Sequence, residues 1–196
     1  MEAIRIIEDE HQSLAAILHA VRYMLKEIAA GALQPDFKLL RAMVHYLDAY
    51  PEQRHHPKED EYLFARLKLR TDEGAEAMAR LEQEHAGGEA RIKALEIALH
   101  QYASGDRDGF DAFSRAFENF AEFYRNHMLL EEREVLPLAR KHFTEEDWEA
   151  VAEGFRRNED PMGGTREGED FQKIFSKLVA AAPPPIGLGA GPYRDD

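Results

Sequence analysis

Residues 4–28, IRIIEDEHQSLAAILHAVRYMLKEI, place apolar side chains at steps of three or four residues. The clearest of these positions are Ile4, Ile7, Leu14, Leu18, Val21, Leu25 and Ile28. This spacing makes one stripe of an α-helix apolar, whereas a half-buried strand would need strict alternation. The stretch therefore predicts a long amphipathic helix from about Ala3 to Ala30. Gly31 is a typical residue to end it.

The same spacing continues outward through most of the chain, and no stretch shows sustained alternation. It predicts three further long helices at about residues 36–66, 72–103 and 110–142. Asp36 is a typical N-cap for the second helix, and Pro51 and Pro57 predict a bend or a short irregular stretch inside it. Because the connections are short, we expect an all-α, up-down-up-down four-helix bundle.

Residues 143–196 are predicted to follow the bundle domain of residues 1–142 as a short helical extension and a Pro/Gly-rich tail. Residues 144–147, TEED, resemble a capping box that opens a helix over residues 148–157. Residues 160–164 should break that helix, and a last helix is expected at about residues 170–181. The stretch PPPIGLGAGP excludes a regular helix, so it forms a docked tail or a disordered one. It could cover an open end of the bundle or mediate a homodimer.

Composition narrows the classes of function. Among 196 residues, 38 are acidic and 25 basic, and the net charge of −13 repels nucleic-acid phosphates and anionic lipid. We therefore expect neither nucleic acid nor a membrane as a partner. The N-terminus lacks signal-peptide features and no stretch reaches the ~18 apolar residues of a membrane span, which predicts a cytoplasmic protein. With no cysteine in the chain, a metal would need nitrogen and oxygen ligands.

Histidine and glutamate side chains occupy positions in the apolar stripes where an apolar residue is expected. Counting residues from the connecting turns places each of the four histidines about 21 or 22 residues from its turn, and therefore in one layer across the bundle. The candidate residues, in chain order, are His11, His55, Glu59, His85, Glu89, His127 and Glu131. The neighbours His56, Asp60 and Glu132 lie one step off the stripes, so we expect them on the surface or behind the ligands.

A single histidine on an apolar face is usually an ordinary core residue. Four histidines and three carboxylates in one layer are different, because buried carboxylates without a compensating cation are strongly unfavourable. Seven ligands are too many for a tetrahedral zinc site and suit two iron or manganese ions that share bridging ligands. The pattern thus predicts a buried centre with two metal ions.

The same segments resemble the hemerythrin-like, or HHE, cation-binding domain over residues 1 to about 142. The matching pieces are DEH at 9–11, HHPKEDEYLF at 55–64, EHAGGE at 84–89 and NHMLLEEREVLPL at 126–138. The resemblance implies a four-helix bundle around a non-haem di-iron centre with an oxo or hydroxo bridge. It implies that His85, Glu89 and His127 hold one iron, that His11 and His55 hold the other, and that Glu59 and Glu131 bridge them.

Two positions depart from the pattern of the oxygen-carrying hemerythrins. Glu89 stands where those proteins have a histidine, and Glu131 follows His127 by four residues where they have an aspartate after five. A carboxylate in place of an imidazole stabilises ferric iron, so we expect the reduced centre to oxidise in air rather than to store oxygen.

The functional prediction is a protein that binds or reacts with oxygen, peroxide or nitric oxide, in sensing or in redox handling. The small molecule would bind at the iron of His11 and His55, because that iron has fewer protein ligands. The alternatives are an oxidoreductase acting on peroxide or nitric oxide, an iron-donating repair protein, and a metal-stabilised structural adaptor.

Overall fold

The computed structural model describes residues 1–157 together with residues 180 and 182. The predicted break at 160–164, the tail at 183–192 and, apart from residue 180, the predicted helix at 170–181 lie outside the described residues. The described chain contains helices and no strands. We number its helices α1 (Glu2–Ala29), α2 (residues 37–70), α3 (residues 75–103), α4 (residues 109–142) and α5 (Glu145–Arg157). None of them is both long enough and apolar enough to cross a membrane.

Helices α1 to α4 form the predicted up-down-up-down bundle, in which each helix packs against the next and α4 returns to α1. Local signals set their ends as the sequence predicts. The Asp36 carboxylate accepts hydrogen bonds from the amides of Lys38 and Leu39 at the start of α2. Gly31, which follows the C-cap residue Ala30 of α1, has a positive φ of 70°, a conformation that favours glycine.

Helix α2 passes through both of its prolines without breaking. It is α-helical over Phe37–Leu47, His56–Lys58 and Ala65–Arg70, and π-helical over Asp48–His55 and Glu59–Phe64. Pro51 lies inside the first π-helical segment, and Pro57 lies in the first turn of the short α-helical one. A π-helical turn holds more residues than an α-helical turn, so it changes which side chains face inward further along the helix.

Helices α3 and α4 are also composite. Helix α3 consists of Ala75–Ala86 and Gly88–Ala103, separated at Gly87. Helix α4 is α-helical over Gly109–Leu130 and Leu136–His142, with a π-helical segment at Glu131–Val135. The π-helical segments and the break at Gly87 all lie at the level of the candidate ligands. In proteins, π-helical turns are often found at functional sites.

Two apolar clusters fill the interior of the bundle and leave a polar layer between them. In α1, Ile7 belongs to one cluster and Leu14 to the other, and His11 lies between them. In α4, Tyr124 and Val135 mark the same division. The layer therefore crosses the bundle between two well-packed apolar regions that keep its side chains away from bulk water.

Helix α5 packs on α1 and on the second π-helical segment of α2. Thr144 and Asp147 form the predicted capping box, because the Asp147 carboxylate accepts from the Thr144 amide and the Thr144 hydroxyl accepts from the Asp147 amide. Asp147 also accepts hydrogen bonds from Arg66 and Arg70 of α2. These contacts hold the start of α5 against the C-terminal end of α2.

Candidate metal centre

Two groups of side chains in the polar layer bring their nitrogen and oxygen atoms to within 4.8 Å of one another. The first group contains His56, Glu59, His85 and His127, and the second contains His11, His55, Glu59 and Glu131. Glu59 belongs to both groups, so the two form one continuous cluster. The cluster is drawn from all four bundle helices.

Six of the seven predicted ligands lie in this cluster, and Glu89 does not. The prediction that Glu89 faces inward is wrong, because its side chain is exposed. The cause is the interruption at Gly87, which starts a new helical segment at Gly88 and turns Glu89, in its first turn, toward solvent. Treating α3 as one uninterrupted α-helix places Glu89 with the inward residues.

His56 lies in the cluster, although we expected it on the surface or behind the ligands. It is only 2 % exposed, and its Nε2 has no hydrogen-bond partner among the described residues. The π-helical segments on either side of His56 change the phase of α2, so both His55 and His56 face inward.

Each of the five histidines in the cluster directs Nδ1 toward a carboxylate. The pairs are His11 with Glu132 at 2.9 Å, His55 with Glu10 at 2.5 Å, His56 with Glu52 at 3.2 Å, His85 with Asp60 at 2.8 Å and His127 with Glu84 at 2.9 Å. A carboxylate accepts hydrogen bonds, so the proton of each neutral ring lies on Nδ1 and leaves a lone pair on Nε2. This arrangement is typical of histidines that bind metal ions.

The Nε2 atoms approach one another more closely than uncompensated lone pairs allow. His11 and His55 have their Nε2 atoms 3.1 Å apart, and His85 and His127 have theirs 3.3 Å apart. Two acceptors at this separation repel each other unless a cation is shared between them. Without a metal ion, protons on the rings supply positive charge here, and the site also suits a metal ion.

Glu59 and Glu131 complete the cluster with four buried oxygen atoms. Both residues are fully buried, and apart from the imidazole nitrogens of the cluster none of these oxygens has a hydrogen-bond partner among the described residues. Glu59 Oε1 lies 2.7 Å from His55 Nε2, whereas Glu59 Oε2 lies 3.4 Å from His85 Nε2. Glu131 Oε2 lies 3.2 Å from His11 Nε2. Buried carboxylates in this state require a cation nearby.

The electrostatics of the metal-free cluster differ between its two sides. Burial alone would lower the pKa of His55, but the Glu59 carboxylate raises it to about 9, and Glu131 raises the pKa of His11 in the same way. Burial raises the pKa of Glu131 to about 7, and the charge of Glu59 adds to this effect. Burial lowers the pKa of His127 to about 4. The side with His11 and His55 therefore attracts cations most strongly.

The carboxylates behind the histidines were only partly visible in the sequence. Asp60 and Glu132, which we expected on the surface or behind the ligands, contact His85 and His11.

Three further carboxylates behind the histidines, Glu10, Glu52 and Glu84, were not predicted. Glu52 precedes His56 by four residues in α2, a spacing that signals a contact, whereas Glu10 and Glu84 act across helices and leave no such signal.

A helical bundle with five inward histidines and two fully buried carboxylates belongs to the class of cation-binding helical proteins. The family model of the hemerythrin HHE cation binding domain matches residues 2–139, and the chain belongs to this family. Neither a curated protein nor a solved structure matches the chain significantly.

Proposed function

We propose that the cluster holds two non-haem iron ions, joined by an oxo or hydroxo bridge, and that it binds or reacts with oxygen or a related small molecule. The position of Glu59 supports this proposal most directly. Its two oxygens lie near Nε2 atoms of different groups, His55 and His85, as a carboxylate shared by two metal ions would need.

The residues divide unevenly between the two ions. His56, His85 and His127 would hold one iron, and His11 and His55 would hold the other, while Glu59 and Glu131 would serve both. Imidazole and carboxylate ligands in this number suit iron and do not suit a structural zinc site. When bound, such a pair supplies electrons and an open coordination position for a small molecule. The side with His11 and His55 offers fewer nitrogen ligands, so we propose it as the binding side.

Rapid oxidation in air is expected only if Glu89 adds a negative charge to the centre, and Glu89 is exposed. His56 supplies a neutral imidazole instead, so no extra carboxylate favours ferric iron. A role in binding, sensing or redox handling of oxygen, peroxide or nitric oxide is compatible with this set of ligands.

Metal analysis of iron-supplemented protein tests the first part of the proposal. We expect two irons per chain at saturation. One metal ion per chain, or none, would contradict the two-metal proposal. Zinc alone would leave the ligand set in place, so that sample would be stripped and reloaded with iron.

Stopped-flow mixing of the reduced protein with oxygen tests the second part. An adduct that is released intact under vacuum would indicate reversible binding, and irreversible oxidation would indicate redox handling. Consumption of added peroxide or nitric oxide in the same experiment would favour an oxidoreductase. Absence of any reaction would contradict both roles and favour a metal that only stabilises the bundle.

A further inference from the structure

A buried row of three side chains extends outward from the candidate centre. The Glu10 carboxylate uses both of its oxygens: Oε2 accepts from Nδ1 of His55 at 2.5 Å, and Oε1 accepts from Nζ of Lys58 at 2.9 Å. Lys58 is only 1 % exposed, and Glu10 is 6 % exposed. A lysine is almost never buried to this extent unless a partner requires its charge.

Helix α5 closes this row off from water. The ring of Phe155 lies 5.2 Å from Lys58 Nζ and 6.3 Å from the His55 ring, and Phe155 is fully buried. Gly154 permits α5 to approach α2 closely, because a Cβ atom at this position would overlap the ring of Tyr62. Phe155 lies beyond the family domain at residues 2–139, so this cover is an addition to that domain.

The other four histidines have carboxylate partners that are less isolated or lack a cation of this kind. Glu132 and Asp60 have side chains that are 41 % and 38 % exposed. Glu84, behind His127, pairs with Arg80, whose side chain is 60 % exposed. Glu52 accepts a hydrogen bond from the hydroxyl of Tyr124, which is neutral, and the cation near it, Arg91, is only partly buried. Water screens an exposed charge pair strongly, whereas a buried ammonium acts at close to full strength.

We propose that Lys58, covered by Phe155, is a positioning residue that sets how tightly the His11 and His55 side of the centre holds a metal ion and which oxidation state it prefers. The inference rests on the proposed function where it concerns iron. The ammonium attracts part of the negative charge of Glu10 and so limits the pull of that carboxylate on the Nδ1 proton of His55. Without it, the carboxylate polarises the ring more strongly, and His55 becomes a stronger donor to a ferric ion.

Lys58→Met and Arg80→Met form a matched pair of variants. Each removes a cation that contacts a carboxylate behind a histidine, and only the first cation is buried. We expect Lys58→Met to raise the preference for ferric over ferrous iron about tenfold, which lowers the midpoint potential by about 59 mV for a one-electron step. Arg80→Met should change that preference less than about twofold, because water already screens its charge. Chelator competition under anaerobic conditions measures the affinity for ferrous iron, and spectroelectrochemistry measures the midpoint potential.

A double variant, Lys58→Met with Glu10→Gln, separates this role from a structural one. It removes both charges, so His55 loses the polarising carboxylate and the midpoint potential should rise above that of Lys58→Met. A merely structural role for Lys58 predicts that the double variant keeps the midpoint potential of Lys58→Met or falls below it, and that result would overturn the inference. The double variant also leaves no unpaired buried charge if the single variant fails to fold.

The cover is tested by Phe155→Ala and Phe155→Leu. Water admitted by the alanine variant should speed exchange of the His55 Nδ1 proton, observed by NMR in zinc-loaded protein, and the leucine variant should restore slow exchange. If the unaltered protein binds no metal pair, the proposed function fails and this inference fails with it. If it binds the pair but Lys58→Met behaves like Arg80→Met, the proposed function stands and only this inference is overturned.

Discussion

In this bundle, the hydrogen bond that Nδ1 of a histidine makes decides which nitrogen of the ring is free to bind a metal ion. Each of the five inward rings donates from Nδ1 to a carboxylate, so the choice of tautomer is made before any metal binds. Glu89 has no part in such an arrangement, because its side chain is exposed. Variants of single residues can therefore show which side chains bind the metal.

His56→Ala and Glu89→Ala distinguish the ligand set of the structure from the one predicted from the sequence. The first variant should weaken metal binding at least about tenfold, because it removes an imidazole from the group with His85 and His127. The second should bind metal as the unaltered protein does. Chelator competition measures both affinities, and the reverse result would restore Glu89 as the ligand.

Metal uptake should release protons at neutral pH. His55 has a pKa of about 9 in the metal-free chain and that of His11 is also raised, so both rings are charged at pH 7. A metal ion needs the unprotonated Nε2, and binding therefore displaces these protons. The apparent affinity should rise as the pH increases toward about 9 and level off above it. Calorimetry in buffers of different ionisation enthalpy counts the protons, and a pH-independent affinity would contradict this assignment.

At the scale of the element, helix α2 determines the shape of the centre. Its two π-helical segments flank residues 56–58, and they turn His55, His56 and Glu59 toward the interior together. In a uniform α-helix these three side chains would keep the phase set by residues 37–47, and the π-helical turns change that phase. The extra residue of a π-helical turn is thus a functional feature of this helix.

Deletion of Gln53 tests the importance of this phase. Gln53 is exposed and lies in the first π-helical segment, so losing it removes length and little packing. We expect the deletion to restore an α-helical phase, turn His56 away from the cluster and abolish binding of at least one metal ion. Gln53→Ala keeps the length and should bind two. Equal metal content in the two variants, measured by elemental analysis, would show that the phase of α2 is unimportant.

Comparison of α1 with α2 and α3 shows which parts of the site the sequence could predict. The apolar spacing in α1 predicted the bundle and placed His11 correctly, because α1 is one regular helix. In α2 and α3 the same count assumed a constant α-helical phase. It placed His55, Glu59 and His85 in the layer, but it missed His56 and wrongly included Glu89. The prolines of α2 signalled an irregularity, but its form depends on packing that a local pattern does not contain.

At the scale of the whole molecule, the polar layer divides the interior into two apolar clusters. Burial of the clusters favours the folded bundle, whereas the buried carboxylates of Glu59 and Glu131, which have only imidazole rings to balance them when no metal ion is bound, oppose it. Metal binding then removes a penalty built into the folded state. Folding stability and metal affinity are therefore linked across the molecule.

Glu131→Gln should change stability in opposite directions with and without metal. In the metal-free protein, the pKa of Glu131 is raised to about 7 because burial and the charge of Glu59 both disfavour its ionised form. The neutral amide avoids that cost, so the metal-free variant should be at least as stable toward urea as the metal-free parent. An iron-loaded parent gains about 2.7 kcal/mol when free metal is one hundred times the Kd, and the variant should lose most of this gain because a shared ligand is missing. Urea unfolding of both proteins, with iron and with a chelator, measures the four free energies. An equal loss of stability in the two conditions would mean that Glu131 supports the fold directly and that the layer imposes no penalty for metal to relieve.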